Sequence, residues 1–172
     1  MILDATASYR AMWIDKQDPD TVYMDKRREV KPDIICVWQH LPFKNAVFKT
    51  VNFDPPHMLY VSKGKPMGFN FAEKFGVLEP ETWQNDLREA FDEFMRVLGP
   101  EETLLLKWND NHISNSRMLA CLPLKPKFGS QVRESRGIKK KGSNEPRSVT
   151  SWFFFSKPRF ILSDSKGAAD NV

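Results

Sequence analysis

Cysteine and histidine are scarce in this chain: its 172 residues include 2 cysteines and 3 histidines. Cys36 and Cys121 both sit in apolar runs. They read as small buried hydrophobes in a reducing compartment, not as a disulfide framework. His40, His57 and His112 are scattered, without the spacing of a Cys/His metal site, so no metal is expected. No apolar run approaches the roughly 20 residues needed to span a bilayer, and no signal-peptide pattern is present. The expectation is a soluble, cytoplasmic protein. No internal repeat is found. Glycine is missing from the turn after the first apolar segment, Asp4-Ala5-Thr6-Ala7-Ser8, which must therefore be built from other small residues.

What is present is enough apolar material for one core. The hydrophobic share is 41%, with 13 Phe and 5 Trp. The formal charge is +4 and the pI about 9.1, an excess compatible with an anionic partner. A single domain is expected over residues 1–162, with a loop at 58–79, a basic flexible loop at 129–149 and a disordered polar tail at 163–172.

Ile2-Leu3 opens a first strand, and a helix is expected from Tyr9 to Lys16. Thr21 to Met24 forms a second strand ending at Asp25. Lys26 to Pro32 is too short for a full helix. Asp33 to Trp38 reads as a third strand, apolar throughout and so covered on both faces. Gln39-His40-Leu41-Pro42-Phe43 is its exit loop. Ala46 to Phe53 is a β-branched and aromatic fourth strand. Trp83, Leu87, Ala90, Phe91, Phe94, Met95 and Leu98 recur at helical spacing, with Pro80 suited to the first turn and Gly99-Pro100 to the end. Thr103 to Trp108 is a fifth strand, and Ser114 caps a short helix to Leu122. Pro126-Lys127-Phe128 and Ser151 to Phe155 complete the set. This pattern argues an α/β fold: a mostly parallel sheet of about seven strands with an antiparallel edge strand.

Chemistry concentrates at strand ends. Asp54-Pro55-Pro56-His57 closes the fourth strand. Two prolines remove two N–H donors and fix φ at about -65°, so the strand stops and the backbone is stiff. The bland reading is a solvated acid on a Pro-Pro turn. The sharper one is an aimed acceptor at the carboxyl edge, where ligands bind in open α/β sheets. Asp4 and Asp25 end strands 21 positions apart. An acid about 20 residues after the first turn suits a ribose, although strand-end acids are also common in water. Tyr60, Phe69 and Phe71 would clamp a base or form a satellite core. Lys107 and Asn109 end strand five near the same edge. Lys139, Lys140 and Lys141 lie in a run of basic residues, either a solvated insertion or a phosphate contact.

Leu3 to Trp13, Val22 to Asp25, Leu41-Pro42-Phe43, Phe53 to His57 and Leu106 to Asn109 occur in this order. Together they resemble the class I S-adenosylmethionine-dependent methyltransferases of the small phage and prophage type, over most of residues 2 to 157. The resemblance implies a Rossmann-like methyltransferase fold. It implies that Asp4, Ala5, Thr6, Ala7 and Arg10 line the methionine part of S-adenosylmethionine, that Asp25 binds its ribose, and that Gln39, His40 and Leu41 flank its adenine. Asp54, Pro55, Pro56 and His57 resemble the Asp/Asn-Pro-Pro-aromatic motif of enzymes that methylate amino groups on nucleic acid bases. In those the acid and the first proline carbonyl hold the amine, and the aromatic stacks on the base. The chain departs from the pattern at Ser8, where relatives carry glycine, and at His40, where they often carry an acid. The expected substrate is adenine N6 in DNA. An RNA base, or a protein that keeps the fold and binds nucleic acid without catalysis, is the alternative.

Overall fold

The computed structural model describes residues 1–59, 76–133 and 149–159. Seven strands form one sheet: β1 (Ile2–Asp4), β2 (Thr21–Asp25), β3 (Ile34–Ile35), β4 (Phe48–Phe53), β5 (Leu98–Asn109), β6 (Phe128–Arg133) and β7 (Val149–Ser156). Their order is β3-β2-β1-β4-β5-β7-β6. β1 pairs in parallel with β2 and β4, β2 with β3, and β4 with β5. β7 runs antiparallel to both β5 and β6. The sheet is thus mostly parallel with an antiparallel pair at one edge, as the strand pattern implied.

Helix α1 (Trp83–Val97) buries Trp83, Leu87, Ala90, Phe91, Phe94 and Met95. Phe94 meets Phe53 of β4 edge-on at 4.7 Å, and Phe91 meets Phe155 of β7 at 5.0 Å. Helix α2 (Asn115–Cys121) starts at Ser114, whose hydroxyl accepts from the Arg117 amide. α2 packs on the same side: Arg88 Nε of α1 donates to the Cys121 carbonyl, and Asn115 bonds the buried Ser151. The covered face carries Val51, Phe53, Leu104, Leu106 and Trp108, all fully buried. Side chains alternate across a strand. Asn52, Leu105, Lys107 and Trp152 therefore point to the other face, and each is half-exposed.

Five local expectations are corrected. Residues 9–16 form turns instead of a helix, because Ser8 and Arg10 take φ of 47° and 54°. Left-handed residues cannot continue a right-handed helix. The third strand shrinks to Ile34–Ile35 at the sheet edge, with Ile35 50% exposed, so it is not covered on both faces. Residues 129–133 belong to β6 and pair with β7, so the expected basic loop loses that end to the sheet. α1 passes straight into β5, which absorbs Gly99-Pro100. Cys121 is buried, but Cys36 is only half-buried, its thiol donating to the His40 carbonyl.

Arg96 fixes the segment between β3 and β4. It donates to the carbonyls of Leu41 and Phe43 and pairs with Glu93, which accepts from the Leu41 amide. Arg96→Met should cost about 1.5–3 kcal/mol, the range for losing bonds to a charged donor. Urea unfolding checks this, and a loss under 0.5 kcal/mol, the size of an ordinary surface change, would contradict the anchoring role.

Candidate active site

Register brings the strand-end acids together. Asp4 pairs with Asn52 and with Tyr23. Paired residues in a ladder share a face, and so do residues two apart in a strand. Asp4, Asp25 and Asp54 therefore leave the sheet on one side at its carboxyl edge. Phe53 pairs with Leu106 as the last match of β4 with β5, which puts Asp54 beside Lys107 on that same side.

Asp54 is the centre of this group. Its amide donates to Thr6 Oγ1 at 2.7 Å, tying the β4 exit to the β1 turn. Lys107 Nζ donates to Oδ2 at 2.8 Å, with the two side chains 30% and 25% exposed. The ammonium sits 5.8 Å from the Trp152 ring centroid. Oδ1 accepts no hydrogen bond from the described residues. Pro55 is buried and His57 half-buried. Pro56 is backed by Gly76, where φ is 78° and a Cβ would lie 3.1 Å from the Pro56 ring. The chain returns beside this turn, with the Leu78 amide donating to the Met58 carbonyl.

Asp4 is 1% exposed. Burial raises its pKa to about 6, against hydrogen bonds from Trp13 and the Thr6 amide, with Asp54 and Asp25 adding repulsion. The Trp13 indole donates to Oδ2 at 2.6 Å. Burial also opposes ionisation of Asp25. There the Arg27 side-chain and amide hydrogen bonds, its charge and the Ser8 amide prevail, and the carboxyl stays below its usual range.

A cleft with about 200 Å³ of space opens between the exits of β1, β2 and β3 and the start of α1. Ala5, Thr6, Asp25, Gln39 and Pro56 line it, all expected as site residues. Asp4 and Ala7 are buried behind the turn, and Ala7 donates its amide to the Met24 carbonyl. Arg10 does not line the cleft: its guanidinium donates to the Lys16 carbonyl and Asp33 and covers the Tyr23 ring at 3.8 Å. Leu41 is buried in the core, and His40 is exposed; neither lines the cleft. Asn109 donates to Thr150 across to β7. Tyr60, Phe69, Phe71, Lys139, Lys140 and Lys141 lie outside the described residues.

Sequence reasoning missed Arg27 and Trp38, which also line the cleft. The Trp38 indole N–H is buried without a partner, in T-shaped contact with Phe53 at 5.3 Å. A buried donor without a partner is uncommon in folded proteins and singles Trp38 out. Its position beside Gln39, at the exit of the third strand, was the available signal.

The residues present fit an adenosyl ligand in part. Small side chains at the β1 turn and an aromatic ring at the β3 exit suit its methionine and base ends, and the acid at the β2 end suits a ribose in type, with its oxygens bonded by Arg27 and the Ser8 amide. Among the described residues no cluster of His, Cys, Asp or Glu could hold a metal ion. No described helix is long and apolar enough to cross a membrane.

No family model matches the chain, and no curated protein matches it in sequence. Solved structures do match in fold. The PH0226 protein from Pyrococcus horikoshii OT3 aligns with a TM-score of 0.56 at 12% identity, over 91% of this chain and 81% of that one. The [4+2]-cyclase SpnF aligns at 0.56 with 11% identity, over 91% and 74%. The MccD protein aligns at 0.52 with 13% identity, over 91% and 89%. Such identities speak to the fold alone. Together with the strand order, they show a Rossmann-like α/β fold with a mostly parallel sheet.

Proposed function

We propose that this protein is an S-adenosylmethionine-dependent methyltransferase acting on an exocyclic amino group of a nucleic acid base, adenine N6 in DNA first. The observation that carries the reading is Asp54. It stands at the end of a central strand, stiffened by two prolines, with Oδ2 held by Lys107 and Oδ1 accepting from no donor among the described residues. S-adenosylmethionine, when bound, supplies an electrophilic methyl group.

The chain's own residues supply position. An amine conjugated to a purine ring is a weak nucleophile. Asp54 Oδ1 and the Pro55 carbonyl accept its two N–H bonds and set the direction of its lone pair. Positioning of this kind converts an encounter into an effectively unimolecular step. The Lys107 ammonium fixes Asp54 through a charge-assisted hydrogen bond to Oδ2. His57, a planar ring on the same turn, stacks on the base. Thr6 couples the two halves: its hydroxyl holds the Asp54 amide while its neighbour Ala5 lines the cleft. A base inside a duplex must flip out to reach this edge. Lys139, Lys140 and Lys141 then contact phosphates, and Tyr60, Phe69 and Phe71 the extruded base.

The test is transfer of a labelled methyl group to unmethylated DNA and to RNA in parallel. Label on adenine N6 of DNA and none on RNA is the expected result. Label on RNA alone would move the reading to the RNA-base alternative, and label on neither would contradict both.

A further inference from the structure

Asp25, at the ribose end of the cleft, already has its acceptor capacity filled. A carboxylate offers about four lone-pair sites. Oδ1 accepts from the Arg27 amide at 2.9 Å and from Arg27 Nε at 3.0 Å. Oδ2 accepts from a terminal guanidinium nitrogen of Arg27 at 3.0 Å and from the Ser8 amide at 2.9 Å. A ribose diol meets no vacant acceptor there. The two amide donors are fixed by the backbone, whereas the guanidinium sits on a rotatable stem. The cleft is also small, about 200 Å³ against the roughly 300–1,000 Å³ of ordinary ligand sites, and Arg27 is part of its wall.

We propose that Arg27 is the specificity-determining residue of the nucleoside site: its guanidinium and the ligand's vicinal diol compete for the Asp25 carboxylate. This rests on the donor-site reading above. Docking of the diol on Asp25 requires the guanidinium to swing out, which frees one lone pair on each oxygen for the two hydroxyls, whereas a ligand without the diol leaves the pair closed. Apparent affinity is then the intrinsic affinity scaled by the fraction of molecules with Arg27 open. Only ligands that bring two well-placed donors recover what the broken pair loses, so the latch selects for an intact diol.

Calorimetry on the full chain tests this with S-adenosylhomocysteine, adenosine and 2′,3′-dideoxyadenosine. Arg27→Gln should bind the first two about tenfold more tightly than the wild type, the worth of a charge-assisted bond, and the dideoxy nucleoside no more tightly. Should Arg27→Gln fail to fold, Arg27→Lys carries the comparison. It keeps the charge but loses the fork, and should tighten binding about threefold. Equal or weaker binding of adenosine by the folded variants, with the wild type measurable, overturns the latch. An equal gain for both nucleosides overturns it too, since the diol is then not the competitor. Absence of S-adenosylhomocysteine binding to every form at millimolar ligand would overturn the donor-site reading itself.

Discussion

Asp54→Ala should reduce methyl transfer roughly 100- to 1,000-fold, the range for removing one preorganised polar group at a reacting centre, while leaving S-adenosylhomocysteine affinity within about twofold. The split follows from which atoms of Asp54 do what. Its backbone amide ties the β4 exit to Thr6 and survives the substitution. Its side chain contacts Lys107 and is absent from the cleft lining. Removing the carboxylate therefore leaves the donor site standing and unties the amine. Rates of label transfer and calorimetric affinity, taken on the same preparation, check both halves. Loss of ligand binding together with transfer would show that the side chain supports the β1 turn, and would remove it from the role of amine acceptor.

The second large effect is on stability and its pH dependence. Asp4 has a folded pKa of about 6 against an ordinary 3.8, chiefly because it is buried. The folded state thus holds a proton that the unfolded chain has released between those values. Stability depends on pH through the difference in bound protons, so it falls as pH rises through that window. The contribution is fully present below about pH 4 and lost above about pH 6. Its size is about 3 kcal/mol, at 1.36 kcal/mol per pH unit. Asp4→Asn, which cannot ionise, should lack this term. Its stability relative to wild type should therefore improve by up to about 3 kcal/mol between pH 4 and pH 8. Urea unfolding at the two pH values measures the difference. A relative gain of zero, or a gain at the acid end, would mean that Asp4 is charged without penalty in the fold.

Much of this arrangement was legible in the residues. The face of α1 followed from apolar spacing, and Ser114 announced its helix through capping chemistry. Asp54 was visible because two prolines must end a strand. Asp25 and Gln39 were visible as strand exits. What escaped depends on contacts between distant segments or on backbone choices that composition does not encode. Residues 9–16 have helical composition, yet Trp13 is drawn to Asp4 and Arg10 to Asp33 and Tyr23, which holds the segment in turns. Asp33 to Trp38 looks like a central strand. It is an edge, because β2 is its only neighbour among the described strands and the Asp33 carboxylate accepts from the Tyr23 amide. Arg27 looked like one charge in a connector. Only the fold reveals that it turns back two residues to grip Asp25. Lys107 was expected near substrate; its partner, Asp54, is 53 residues earlier in the chain.

The measurement that bears most directly on the central claim is a calorimetric titration of the wild-type chain with S-adenosylmethionine. Saturable one-to-one binding at micromolar to sub-millimolar ligand, abolished by Asp25→Ala and retained by Asp54→Ala, is the result this account predicts. No binding at millimolar ligand would contradict it, and the Asp-Pro-Pro-His turn would then be a strand end without a methyl donor beside it.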